Sequence, residues 1–152
     1  MRVWQPARPP HHPGDAPFTA SGLRTRPWAI VRDADGFPQD EINHYLTYAA
    51  WQDAPPRRVR TDAHHLADAA AWLARWDESW ASADVDLWAL YGHELQYYQG
   101  HRDPQPVYRM VETLHRAYAF WHWQDPQTIR WQPFPTSRTA RRAWIAYHMA
   151  LF

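Results

Sequence analysis

The chain has no cysteine and no lysine among its 152 residues, only five glycines, and no long uninterrupted apolar run. Without cysteine there are no disulfides, no cysteine zinc sites and no thiol catalysis, which excludes a secreted disulfide scaffold. Arg, His or Asp interrupts the apolar stretches every few residues, so none reads as a signal peptide or membrane span; a soluble cytoplasmic protein is expected. The glycines are isolated and form no phosphate-cradling loop. No nucleophile, base and acid stand together in a recognisable pattern, so no catalytic residue is assigned and enzyme activity is not expected. The missing lysine means that all sixteen basic residues are arginine. GC-rich coding is the expected cause, although arginine also favours bidentate phosphate contacts.

What is present points to a globular protein. Hydrophobic residues make up 45% of the chain, enough for one domain with a real core, while fourteen prolines imply irregular flanks. Charge is distributed unevenly around a formal net of zero. Residues 1–32 hold five Arg against Asp15, residues 33–125 hold seven Arg against fifteen acids, and residues 126–152 hold four Arg and no acid. Both ends are therefore basic and the middle is acidic.

Residues 1–27, with six prolines and the pair His11-His12, read as a flexible arm. Its Arg2, Arg8, Arg24 and Arg26 suit either a solvated tail or a strand laid along phosphates. From Trp28 a short apolar run leads into the turn Asp33 to Pro38, and Ile42, Tyr45, Leu46 and Ala49 then share one face of a helix from about Pro38 to Trp51. The next helix, Arg57 to Trp76, carries the clearest signal. Val59, Ala63, Leu66, Ala70 and Leu73 step by four and three residues along one stripe, and Pro55-Pro56 sets its start. Three arginines, Arg57, Arg58 and Arg60, crowd its first turn, where the helix dipole favours acids. A third helix begins at a cap on Asp84 or Asp86, shows Leu87, Leu90, Tyr91, Glu94, Leu95 and Tyr98 on one face, and ends at Gly100. A fourth, about Val107 to Trp123, buries Val107, Met110, Val111, Leu114, Ala117, Tyr118 and Trp121. A fifth, Thr136 to Phe152, starts on a Thr136-Ser137 cap and runs through Ala140, Trp144, Tyr147, His148 and Leu151. No strand pattern competes, and the expected fold is an all-α bundle.

Several of these residues together resemble a known family, the N-terminal, SAM-like core-binding domain of tyrosine recombinases of the phage-integrase group. The resemblance covers about Trp28 to Phe134. It rests on Trp28 to Asp33, Gly36, Pro38, Asn43, Tyr45 and Leu46, then Val59, Leu66, Trp72 and Leu73, then Leu114, Ala117, Tyr118, Phe120 and Trp121, and finally Ile129 and Pro133-Phe134. Arg58 stands where the family usually has a small hydroxyl residue, and Asp62 where it usually has an aromatic. The resemblance implies a SAM-like orthogonal bundle of four helices over residues 28–134, followed by a short C-terminal helix, or the start of a missing domain, at 135–152. It also implies double-stranded DNA as partner, in DNA integration and recombination or their regulation. The family's catalytic half needs a lysine and a tyrosine nucleophile in a surrounding constellation; residues 135–152 are too few to hold it, and Tyr147 is expected in the core.

On that reading phosphate contacts fall to Arg57, Arg58 and Arg60, to Arg109 and Arg116, seven apart on helix four, and to Arg138, Arg141 and Arg142. The competing assignments pair the arginines of helices two and four with Asp62, Asp68 and Glu112 at the surface, and leave Arg138, Arg141 and Arg142 on a solvated face of the terminal helix. The ten histidines do not make a metal site: His64 and His65 point in different directions on a helix, His115 and His122 lie two turns apart, and His93-Glu94 is followed by Tyr97 where a zinc-protease helix needs histidine. No metal or cofactor is expected. Trp72, Trp76, Trp80 and Trp88 are expected to line the bundle, and Trp121, Trp123 and Trp131 to seal helix four. Trp123 and Trp131 beside Arg130 are the alternative, a base-stacking platform. The acidic middle weighs against a strong DNA binder, so a second reading stays open: a protein-interaction module, an inhibitor or adaptor of phage or mobile-element origin, binding a full-length recombinase, another protein or a second copy. The aromatic surplus favours some such partner.

Overall fold

The computed structural model describes residues 2–4, 29–98, 104–130 and 132–150. Most of the proline-rich arm, with Trp28, Gly100, Trp131 and Leu151, lies outside them. The described chain is all-α. Five helices follow in order, α1 Asp40–Trp51, α2 Pro56–Arg75, α3 Val85–Tyr98, α4 Gln105–Gln124 and α5 Arg138–Ala150, after two short strands, β1 Arg2–Trp4 and β2 Ile30–Arg32. They fall into two compact units, residues 1–71 and 72–152, with the boundary inside α2.

The first unit contains the two strands, α1 and most of α2. β1 and β2 pair antiparallel, Trp4 opposite Ile30 and Arg2 opposite Arg32, so three residues of the arm are ordered as strand. The turn after β2 is built by Asp33, whose Oδ1 accepts the backbone N–H of Asp35 and of Phe37, both at 2.9 Å. Gly36 supplies the left-handed backbone there, φ 89°. Asn43 of α1 ties the strand down, its Oδ1 accepting from Val31 N–H at 2.7 Å and its Nδ2 donating to Val31 O at 2.9 Å. Ile42, Tyr45, Leu46 and Ala49 are buried, as the α1 spacing predicts. In α2, Val59, Ala63 and Leu66 are buried likewise. Both Arg58 and Val59 donate their N–H groups to Pro55 O, which opens the helix at the proline pair.

The second unit takes the end of α2 with α3, α4 and α5. Asp84 caps α3 by accepting Leu87 N–H at 2.8 Å, and Ser137 caps α5 by accepting Ala140 N–H at 3.1 Å. The core is aromatic. Trp72 lies 4.8 Å from Tyr91 and 6.3 Å from Trp88 between ring centroids, and Trp80 lies 4.9 Å from Trp121. Trp72 donates its indole N–H to Glu94, and the Tyr118 hydroxyl donates to Trp80 O, so both large polar aromatics are satisfied as they are buried. The face of α4 is as predicted, from Val107 to Trp121, with Thr113 and Phe120 added.

Two helical faces are rotated from expectation. In α3 the buried residues are Trp88, Ala89, Tyr91 and Gly92, with Leu87 and Leu90 only half-buried, because indole and phenol rings in this unit reward burial more than leucine does. In α5 only Arg141 and Ile145 are fully buried, while Ala140 and Tyr147 are exposed, the latter 64% accessible. Tyr147 is thus not a core residue. Trp76 and Trp123, assigned to the interior from sequence, are 50% and 54% exposed. Trp123 falls on the outer side of α4, and Trp76 lies in the turn just past the end of α2.

Candidate nucleic-acid interface

The expected DNA-contacting arginines fall into two sets, one in each unit. Arg57, Arg58 and Arg60 sit at the head of α2 in the first unit, all three exposed. The other five lie on α4 and α5 in the second unit, and only three of them are free to meet a phosphate.

Arg141 is the clearest correction. It is 6% exposed and gives its whole guanidinium to the protein. Nε and Nη2 donate to the two carboxylate oxygens of Glu112 at 2.7 and 2.9 Å, and Nη1 donates to Pro135 O at 3.1 Å and to Thr136 O. A bidentate pair with its remaining donors satisfied is the geometry in which a buried arginine is tolerated. Its sequence signal was Ile145, four residues on, which puts Arg141 on the apolar side of α5. Arg116 is half-buried and turns back along its own helix, Nη2 3.5 Å from Thr113 Oγ1. Glu112 is paired with Arg141, with the Arg116 charge also acting on it, and Asp62 is not at the surface but buried against Tyr45.

Arg109, Arg138 and Arg142 remain exposed. Arg138 and Arg142 are four apart and share one side of α5. The Arg142 guanidinium carbon lies 5.9 Å from the ring centre of Tyr108, the residue before Arg109 on α4. Arg142 thus reaches across from α5 to α4, the helix that also carries Arg109. Glu112 is the only acid in α4, and α5 has none. The hydrogen bonds from Arg141 hold the Glu112 carboxyl below its ordinary range, against the opposing effect of burial, so this carboxylate stays ionised and already paired. The acids of the second unit's described residues are otherwise in the loop before α3, in α3 itself and at Asp125. Glu112 is thus the one acid that α4 and α5 themselves contribute.

Two histidines hold backbone carbonyls. His122 Nδ1–H donates to Ile129 O at 2.6 Å and His93 Nε2–H to His148 O at 2.9 Å. His115, beside Glu112 and Arg141, is kept below its usual pKa first by burial and then by the Arg141 charge. Among the described residues no three His, Asp or Glu side chains gather into a possible metal site. No described helix is long and apolar enough to cross a membrane. The stacking platform of Trp123 and Trp131 lies partly outside the described residues; Arg130 Nε itself donates to Gln127 O at 3.1 Å. In comparisons with known proteins, no family model, no curated protein and no solved structure matches the chain.

Proposed function

We propose that the chain is a non-catalytic DNA-binding module, of the kind its resemblance to the core-binding domain of tyrosine recombinases implies, serving DNA integration or recombination or their regulation. The observation that carries this reading is that Arg109 on α4 and Arg138 and Arg142 on α5 are exposed, while the one carboxylate of these two helices, Glu112, is already paired with Arg141. Guanidinium groups so placed exchange condensed counterions for phosphate contacts, a term that is independent of base sequence. The exposed arginines at the head of α2 offer a second phosphate-binding set.

Fluorescence anisotropy on random duplex DNA tests this at about 50 and about 200 mM salt. Wild type is expected to bind at micromolar levels with steep salt dependence. The variant Arg109→Ala/Arg138→Ala/Arg142→Ala should bind more weakly, with a salt slope reduced by about 0.9 for each phosphate no longer neutralised. Arg57→Ala/Arg58→Ala/Arg60→Ala measures the α2 set in the same way. No binding by wild type at the lower salt sinks the reading. The protein-interaction module then takes its place, supported by the exposed Trp76, Trp123 and Tyr147.

A further inference from the structure

We propose that α5 is a detachable strap, latched onto the second unit by Arg141 and Glu112, and that its release dismantles the arginine set of α4 and α5; the second half of this inference rests on the DNA-binding reading above. Apolar anchorage of α5 is thin. Nine residues of α4 are buried, whereas α5 buries only Ile145 and the charged Arg141. Its other attachments are partial. Trp144 meets Phe134 edge-on at 5.4 Å, Met149 packs beside Gly92, and His93 Nε2–H donates to the His148 carbonyl.

Arg141 does the rest. One guanidinium ties α5 to Glu112 on α4 and, through Pro135 O and Thr136 O, to the segment that leads into the helix. Such an attachment is all-or-none, because loss of the Glu112 charge leaves a buried cation unpaired. Undocking returns that cation to water. A helix of thirteen residues does not persist alone, so α5 leaves and unravels as one piece. The rest of the unit keeps its own core, since Trp72, Trp80, Trp88, Tyr118 and Trp121 touch one another without α5. Release carries Arg138 and Arg142 away from α4, where Arg142 lies over the Tyr108 ring.

Hydrogen exchange on the full chain, without DNA, tests the strap. Residues 138–150 should exchange faster than α3 and α4 in wild type. Glu112→Gln should accelerate α5 alone by about tenfold to a hundredfold. Equal exchange of α5, α3 and α4, or acceleration of all three together, overturns the strap. If Glu112→Gln does not fold, the absence of native cysteine makes an introduced thiol unique. Labelling of Ile145→Cys about tenfold or more faster than Leu114→Cys supports sub-global opening, and equal labelling overturns it. DNA binding separates the second half. Removing the Glu112 carboxylate would tighten binding if charge alone mattered, whereas the strap requires Glu112→Gln to bind as weakly as Arg138→Ala/Arg142→Ala. Unchanged or tighter binding despite accelerated α5 exchange overturns the link. A wild type that exchanges as expected but binds no DNA overturns the DNA-binding reading and the link with it, and leaves the strap itself supported.

Discussion

Tyr45 donates its phenolic hydrogen to Oδ2 of Asp62 at 2.7 Å, joining α1 to α2 inside the first unit, with the carboxylate only 1% exposed. Hydrogen bonds to charged groups contribute about 1.5–3 kcal/mol, and an abandoned buried acceptor keeps its desolvation cost. Tyr45→Phe should therefore destabilise the first unit by about 2 kcal/mol in urea unfolding. The double variant Tyr45→Phe/Asp62→Leu should recover part of that loss. A Tyr45→Phe chain as stable as wild type would show that the bond contributes nothing net.

Adjacent arginines on α5 should behave as opposites. Arg141→Ala removes one partner of a largely buried pair and should cost about 3 kcal/mol, the lower end of the range because Glu112 is partly exposed. Arg142→Ala, which gives up only the cation's place over the Tyr108 ring, should cost within about 0.5–1 kcal/mol and appear mainly in DNA affinity. Thermal unfolding and anisotropy measured on both variants check the contrast.

Acid should weaken the second unit in two stages. The folded pKa of His115 lies below the ordinary 6.5, chiefly through burial, with Glu112 and Arg116 beside it on α4 and Arg141 facing it from α5. The unfolded chain then binds the extra proton more readily, so this contribution is complete above 6.5 and declines as pH falls below it. The carboxyl of Glu112 is depressed below 4.5 by its hydrogen bonds from Arg141, so its contribution holds until pH drops under that value. Melting temperature against pH should show both legs, and His115→Gln should flatten the upper one.

Gly92 of α3 packs closely against side chains of α4 and α5. A Cβ there would stand 3.1 Å from Met149 Cε and 3.4 Å from Val107 Cγ1. The end of a methionine side chain can move, and alanine is favoured over glycine in a helix by about 1 kcal/mol, so Gly92→Ala should be near neutral. Gly92→Leu overfills the same space and should cost about 1–3 kcal/mol. Met149→Ala should rescue it if the clash is where the packing places it.

How much of this could be read beforehand depended on how local each cause was. The stripe from Val59 to Leu73 and the caps at Asp84 and Ser137 act within one or two turns, and they stand in the structure except at Ala70, which is half-buried while Ala69 is buried. β2 was hidden because its pairing spans a long intervening segment and its three residues are too few for an alternation to be seen. The clamp of Asn43 on Val31, twelve residues away, has no periodicity at all. At the candidate site composition identified the arginines but not their exposure. Arg138, Arg141 and Arg142 are chemically identical, and only the phase of α5, which buries Arg141 with Ile145, separates the buried one from the others.

The aromatic core gives the second unit an optical character of its own. Eight of the eleven tryptophans follow Ala71 in sequence, and the rings of Trp72, Trp88, Trp80 and Trp121 are linked by centroid separations between 4.9 and 6.3 Å. Indoles so close share excitation, so light absorbed by one ring can be emitted by another. Ultraviolet emission from the intact chain is accordingly weighted toward this half, and its ring-to-ring coupling gives near-ultraviolet dichroism that vanishes when the rings separate. The molecule carries an intrinsic, label-free signal for the integrity of the half that bears Arg109, Arg138 and Arg142.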